Sequence, residues 1–99
     1  MTKIIYELSG WIKNDVDENN FMDQIKKILE DFKFELINEQ CSKTKKLAYP
    51  IKKEEFGKFF TFYFYGNNKD IENFKNKIKK INEILRFIIL KRKYLKIKS

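Results

Sequence analysis

The chain reads as an α+β fold, a four-stranded antiparallel sheet carrying two helices on one face, with its elements in the order βαββαβ. Three observations predict this. Runs of β-branched and aromatic residues at 4–12, 59–65 and 84–90 suit a pleated, half-buried surface. Two segments between those runs space their apolar residues at helical intervals instead. The only proline, Pro50, falls in an otherwise extended stretch, and proline within a sheet is confined to an edge, a strand start or a bulge.

Taken in order, Ile4, Ile5, Tyr6, Leu8, Trp11 and Ile12 form the first strand, from Lys3 to Ile12. Asn14, Asp15 and Asp17 end it and offer helix N-caps. Phe21, Ile25, Ile28, Leu29 and Phe32 then make one apolar helical stripe, with Lys26, Lys27, Glu30 and Asp31 on the outer side. Phe34 and Leu36 begin a second strand, expected to run on through a lysine cluster to Ile51. Lys52 to Gly57 reads as a hairpin turn, with Gly57 as its permissive residue.

The third strand is the aromatic run Phe59 to Tyr65. Alternation sends Phe60, Phe62 and Phe64 to the core and Phe59, Thr61, Tyr63 and Tyr65 to the other face, where the tyrosine hydroxyls meet water or a partner. Gly66, Asn67, Asn68 and Asp70 form a turn and cap before a second helix bearing Ile71, Phe74, Ile78 and Ile81. Ile84 to Leu90 is the last strand, and the residues after it are basic. The expectation is one domain over 1–92 and a short basic C-terminal tail over 93–99. Two right-handed βαβ crossovers in one sheet give the strand order 4-1-3-2, the ferredoxin-like arrangement. Strand 2, with Pro50, then lies at an edge.

Charge points to the kind of partner. The 99 residues carry a net charge of +8, a field that attracts polyanions before any specific contact forms. The first 42 residues hold five lysines against nine acids, so the remaining 57 carry the excess of positive charge. An acidic first half and a basic second half suggest one side facing nucleic acid. A lysine-rich composition that merely fills solvated faces is the plainer alternative.

Other classes are set aside by what the chain lacks. With no histidine, the usual general base and the commonest metal ligand are missing. Its single cysteine, Cys41, permits no disulfide framework. No apolar run reaches the roughly 18 residues of a membrane span. A soluble cytosolic protein is expected, not an enzyme, with no cofactor, no metal, no membrane and no small-molecule substrate.

The most specific stretch is Leu47-Ala48-Tyr49-Pro50-Ile51, preceded by Lys45-Lys46 and followed by Lys52-Lys53. With Tyr6-Glu7 in the first strand, Gly57, and Asn82-Glu83-Ile84-Leu85-Arg86 leading into Ile88-Ile89-Leu90-Lys91, it resembles the bacterial small-subunit ribosomal protein number six family. The resemblance covers residues 3–92. The chain departs from the family pattern at Ser42, where members commonly carry a bulky apolar residue, and at Lys43, where they commonly carry glycine. Membership would imply a ferredoxin-like fold without catalysis, on the platform of the small ribosomal subunit. It would also imply joint binding, with small-subunit ribosomal protein eighteen, to the central domain of the small-subunit RNA, in a cytoplasmic bacterial or an organellar ribosome.

Carried over residue by residue, the RNA- or partner-binding candidates are Lys45, Lys46, Tyr49, Lys52, Lys53, Arg86, Lys91 and Arg92. Each has a second reading. Lysines on an exposed edge also keep sheets from pairing edge to edge. Tyr49 can stack on a base, pack on a protein, or cover the sheet edge. Arg86 can fork onto a phosphate or pair with Glu7 on the neighbouring strand. The tail cations Lys91, Arg92, Lys93, Lys96 and Lys98 have no acid among them.

The alternative function is a free-standing RNA recognition motif, which shares the element order and reads single strands by stacking. Against it, Phe56 and Lys58 stand where that module wants a basic and an aromatic residue. An enzyme such as an acylphosphatase would need an arginine-bearing anion loop after strand 1, and Ser9 to Lys13 offers none.

Overall fold

A computed structural model describes residues 4–92, so the tail expected at 93–99 lies outside the described residues. The elements are β1 (Ile4–Lys13), α1 (Glu18–Asp31), β2 (Glu35–Cys41), β3 (Lys45–Ile51), β4 (Glu54–Gly66), α2 (Ile71–Lys79) and β5 (Ile84–Arg92). The sheet is antiparallel, in the order β2-β4-β1-β5, with β3 also paired to β4. Gly57 of β4 pairs with Lys13 of β1 and with Lys45 of β3. Hence β3 continues the edge that β2 occupies.

The expected second strand is therefore two strands, and the sheet has five rather than four. Its interruption has a chemical cause at Ser42. The Ser42 backbone N–H still donates to the Phe59 carbonyl at 2.7 Å, but the Phe59 N–H donates to the Ser42 side-chain Oγ at 2.9 Å. A hydroxyl thus takes the place of a ladder carbonyl, and local side-chain bonding of this kind competes with regular sheet. The Ser42 hydroxyl donates onward to the Lys43 carbonyl, and Thr44 donates to the Asn14 side chain. Pro50 lies on the β3 edge, inside the irregular stretch of pairing between Lys46 and Ile51.

The hairpin also differs from expectation. Its turn is the pair Lys52-Lys53, at φ 50° and 68°, flanked by the Ile51–Glu54 pair. Positive φ at both central residues matches a two-residue type I′ turn. Gly57 is not in the turn. It sits within β4, where a Cβ would stand 2.9 Å from the Ile12 carbonyl oxygen, so its role is close backbone approach.

Helix ends follow known chemistry. Asp17 caps α1, its carboxylate accepting from the Asn19 and Asn20 backbone N–H groups. Lys33 ends that helix in the left-handed region at φ 59°, with Lys33 N–H donating to the Glu30 carbonyl and Phe34 N–H to that of Leu29, a Schellman arrangement. Before α2, the Asn67 side chain accepts from the Asp70 N–H, while the Asp70 side chain makes no capping bond.

One face of the sheet is the core. Phe21, Ile25 and Leu29 of α1 and Phe74 and Ile78 of α2 are buried with Tyr6, Leu8, Ile12, Phe60, Phe62 and Phe64. The inward phenylalanines of β4 are the three expected. Burying one such ring contributes on the order of 2–3 kcal/mol, and Phe64 and Phe74 stand 5.2 Å apart between centroids.

A bulge in β5 positions the outer face. Trp11 pairs with Arg86 but Ile12 with Ile84, leaving Leu85 as the extra residue. Leu85 is buried and Arg86 exposed. Nearby, Gly10 lies so close to β5 that a Cβ there would collide with the Arg86 carbonyl oxygen. β5 also runs beyond Leu90, so Lys91 and Arg92 are strand residues opposite Tyr6 and Ile5, not tail.

Candidate nucleic-acid interface

The candidates fall at two places. Lys45, Lys46 and Tyr49 lie on β3, Lys52 and Lys53 at the turn, and Arg86 near the start of β5 beside them. Lys91 and Arg92 close the other end of β5, about 20 Å away at the usual rise of a strand. Tyr49, Lys52 and Arg86 line adjoining clefts, Lys53 shares the turn, Lys45 and Lys46 lie at the far end of β3, and Lys91 and Arg92 stand apart.

Along the β3 hairpin and at Arg86 all six side chains face solvent, and Tyr49 exposes 82% of its surface. Such exposure leaves Tyr49 covering little of the sheet edge; the buried residue of this strand is Leu47. Lys45, Lys46, Lys52, Lys53 and Arg86 take part in no ion pair among the described residues. Their charges stay available to an anion.

Arg86 does not pair with Glu7. That partner is Arg92, whose Nε and one terminal nitrogen donate to a single Glu7 oxygen at 2.9 and 2.6 Å. The register explains the exchange, since the bulge sets Arg86 opposite Trp11 and brings Arg92 to the level of Ile5. The Ser9 hydroxyl donates to the other Glu7 oxygen at 2.7 Å. Hydrogen bonding to Glu7 raises the Arg92 pKa further, so it stays charged but compensated.

Arg86 instead forms the shared wall of two clefts. One, about 330 Å³, is lined by Trp11, Leu47, Ala48, Tyr49, Pro50, Ile51 and Arg86. The other, about 320 Å³, lies between the turn and the end of α2 and includes Lys52, Lys79, Arg86 and Phe87. Two of these residues were missed by sequence reasoning. Trp11 is the single tryptophan, on the outward-facing register of β1, which was a usable signal. Lys79 carried none, because only the packing of α2 brings its last turn to the hairpin.

Among the described residues no cluster of Cys, Asp or Glu could hold a metal ion. The Cys41 thiol is pushed up to about 11, first by burial and then by the charge and hydrogen bond of Glu18, and so stays protonated. On the outer face Phe59 and Ile88 are exposed, and Trp11 meets Phe59 edge-on at 5.2 Å.

Comparison with known proteins decides the lineage: the family model described as ribosomal protein S6 matches residues 5–91. The chain belongs to the ribosomal protein S6 family. Among solved structures it is similar to the 30S ribosomal protein S6 of Thermotoga maritima, at 27% identity and a TM-score of 0.84, covering 92% of this chain and 89% of that one. A search of curated proteins gave no match. Membership in the S6 family makes this an RNA-binding, structural and non-catalytic component of the small ribosomal subunit, with the family's ferredoxin-like fold.

Proposed function

We propose that the chain binds the central domain of the small-subunit ribosomal RNA together with small-subunit ribosomal protein eighteen, on the platform of a bacterial or organellar ribosome. The observation that carries this reading is the β3 hairpin, along which Lys45, Lys46, Lys52 and Lys53 stand exposed with Arg86 beside the turn, none of them in an ion pair among the described residues. Cations so placed neutralise phosphates and supply affinity that does not depend on sequence. Shape complementarity to a folded junction supplies specificity, as for structured RNA generally. Lys91 joins this set from the far end of β5, whereas Arg92 is engaged by Glu7.

Binding of the two proteins is then a coupled equilibrium, each favouring the other's site. The alternative of a free-standing RNA recognition motif fares worse on the outer face. Glu7 and Ser9, bonded to each other and Glu7 to Arg92, place polar groups on the central strand β1 of that face, where such a module needs a stacking aromatic. Sedimentation tests the reading: the chain should travel with small subunits through a high-salt gradient. Free protein at the top of the gradient, with tight binding to short single strands, would overturn it. No helix among the described residues is long and apolar enough to cross a membrane.

A further inference from the structure

We infer that the two clefts meeting at Arg86 form a site for one unstacked nucleotide of the bound RNA, its base against Tyr49 and Trp11 and its phosphate among Arg86, Lys52 and Lys79. The inference rests on the RNA-binding reading above and adds to it a ligand group and a place.

The two clefts differ in chemistry in the way a nucleotide does. Apart from Arg86, the side chains lining the first are apolar or aromatic, Trp11, Leu47, Tyr49 and Ile51 among them, although polar atoms make up much of its surface. The second has an apolar floor of Ile78 and Ile84 and a rim of Lys52, Lys79 and Arg86. Neither contains an Asp or Glu in its lining. A peptide would need carboxylates to meet that rim, whereas a nucleotide brings one charge and one planar base. At about 330 Å³ the first cleft is at the small end of ligand sites, which start near 300 Å³, and so takes a single planar group.

Arg86 joins the halves because a guanidinium both forks onto phosphate oxygens and stacks on a ring. Its place on the strand is set by the fold. The β5 bulge buries Leu85 and turns Arg86 outward opposite Trp11, while Pro50 restricts the backbone beside Tyr49. Splayed bases stacked on aromatic side chains are a common mode of RNA recognition.

The test uses the full chain with small-subunit ribosomal protein eighteen and a central-domain ribosomal RNA fragment. Trp11, the chain's only tryptophan, reports on the apolar cleft, with Trp11→Phe as the blank. RNA addition should quench Trp11 emission. Tyr49→Ala should weaken RNA binding about 5- to 150-fold, as loss of one stacked base does, while Tyr49→Phe stays within about twofold. Tyr49 is exposed, so both variants should fold, which circular dichroism confirms.

RNA binding that leaves Trp11 emission unchanged, with Tyr49→Ala as tight as the parent, would overturn the site and spare the wider reading. Quenching by protein eighteen without RNA would assign the cleft to protein and overturn it equally. Failure of the parent chain to associate with the RNA at all would remove both.

Discussion

Arg92 closes on Glu7 with two nitrogens on one carboxylate oxygen, at 2.9 and 2.6 Å, although the residues are 85 positions apart. The pair ties the end of β5 to β1, on the face away from the helices, and the Ser9 hydroxyl orients the carboxylate. Glu7 is the more enclosed partner, with 13% of its side chain exposed against 46% for Arg92. Two N–H donors on an ionised acceptor are among the stronger polar contacts a surface can hold.

Arg92→Ala should therefore lower Tm, Arg92→Lys should lower it less, and the loss should shrink as salt rises from about 0.05 to 0.5 M. Thermal unfolding at the two salt concentrations checks this. An unchanged Tm in Arg92→Ala would mean that the pair contributes nothing to stability.

The hairpin lysines carry a prediction about RNA. Replacing Lys45 and Lys46 together with alanine should reduce the slope of log K against log salt by about 2, one for each phosphate no longer neutralised. Filter binding across a salt series reads the slope directly. Should it stay as in the parent chain, these two lysines serve mainly to keep the β3 edge from pairing with another sheet.

Lys53 stands at φ 68° with a full side chain, in a turn that favours Asn-Gly. Left-handed backbone costs a non-glycine residue roughly 1–2 kcal/mol. Lys53→Gly is expected to stabilise the fold by about 1 kcal/mol, which for a domain of this size raises Tm by some 4–8 °C. A lower Tm would show that the lysine stem makes packing contacts worth more than the strain.

Cys41 should react slowly. Its pKa of about 11, against an ordinary 9.0, cuts the thiolate fraction at neutral pH about a hundredfold. Iodoacetamide should modify the denatured chain far faster than the native one, and equal rates would contradict the burial. The linkage has a sign. With the folded value above the unfolded one, the stabilisation is fully present below pH 9 and is lost as pH climbs towards 11. The buried Tyr6 phenol, also raised by burial, acts in the same direction, so unfolding is expected on the alkaline side.

Much of this was legible in the order of residues. Alternation alone assigned Phe60, Phe62 and Phe64 to the core, because a strand has only two faces and one of them is buried. An N-cap among Asn14, Asp15 and Asp17, the stripe from Phe21 to Leu29, and an edge position for Pro50 followed from equally local rules; the structure chose Asp17. The basic proline-bearing edge was readable as well, whereas its nearness to Arg86, expected on the opposite edge strand, was not.

The sequence did not announce the break at Ser42, the turn at Lys52-Lys53 or the pairing of Arg92 with Glu7. Each depends on geometry that develops across strands. A serine becomes a ladder acceptor only when Phe59 is opposite it, and two lysines enter the left-handed region only when Ile51 and Glu54 are already paired. One extra residue, Leu85, then shifts the face and partner of everything around it in β5.

The lysine-flanked Leu47–Ile51 stretch, with Tyr6-Glu7, Gly57 and Asn82 to Arg86, thus pointed to the lineage by resemblance, and the charge of the chain pointed to an anionic partner. The tertiary structure decided which cations remain free for that partner. It paired Arg92 with Glu7, left Arg86 without an ion pair among the described residues between two clefts, and brought Trp11 and Lys79 to its sides. Residue order sets local propensity and charge, but a shared site is made of residues far apart in the chain, and only strand register brings them together.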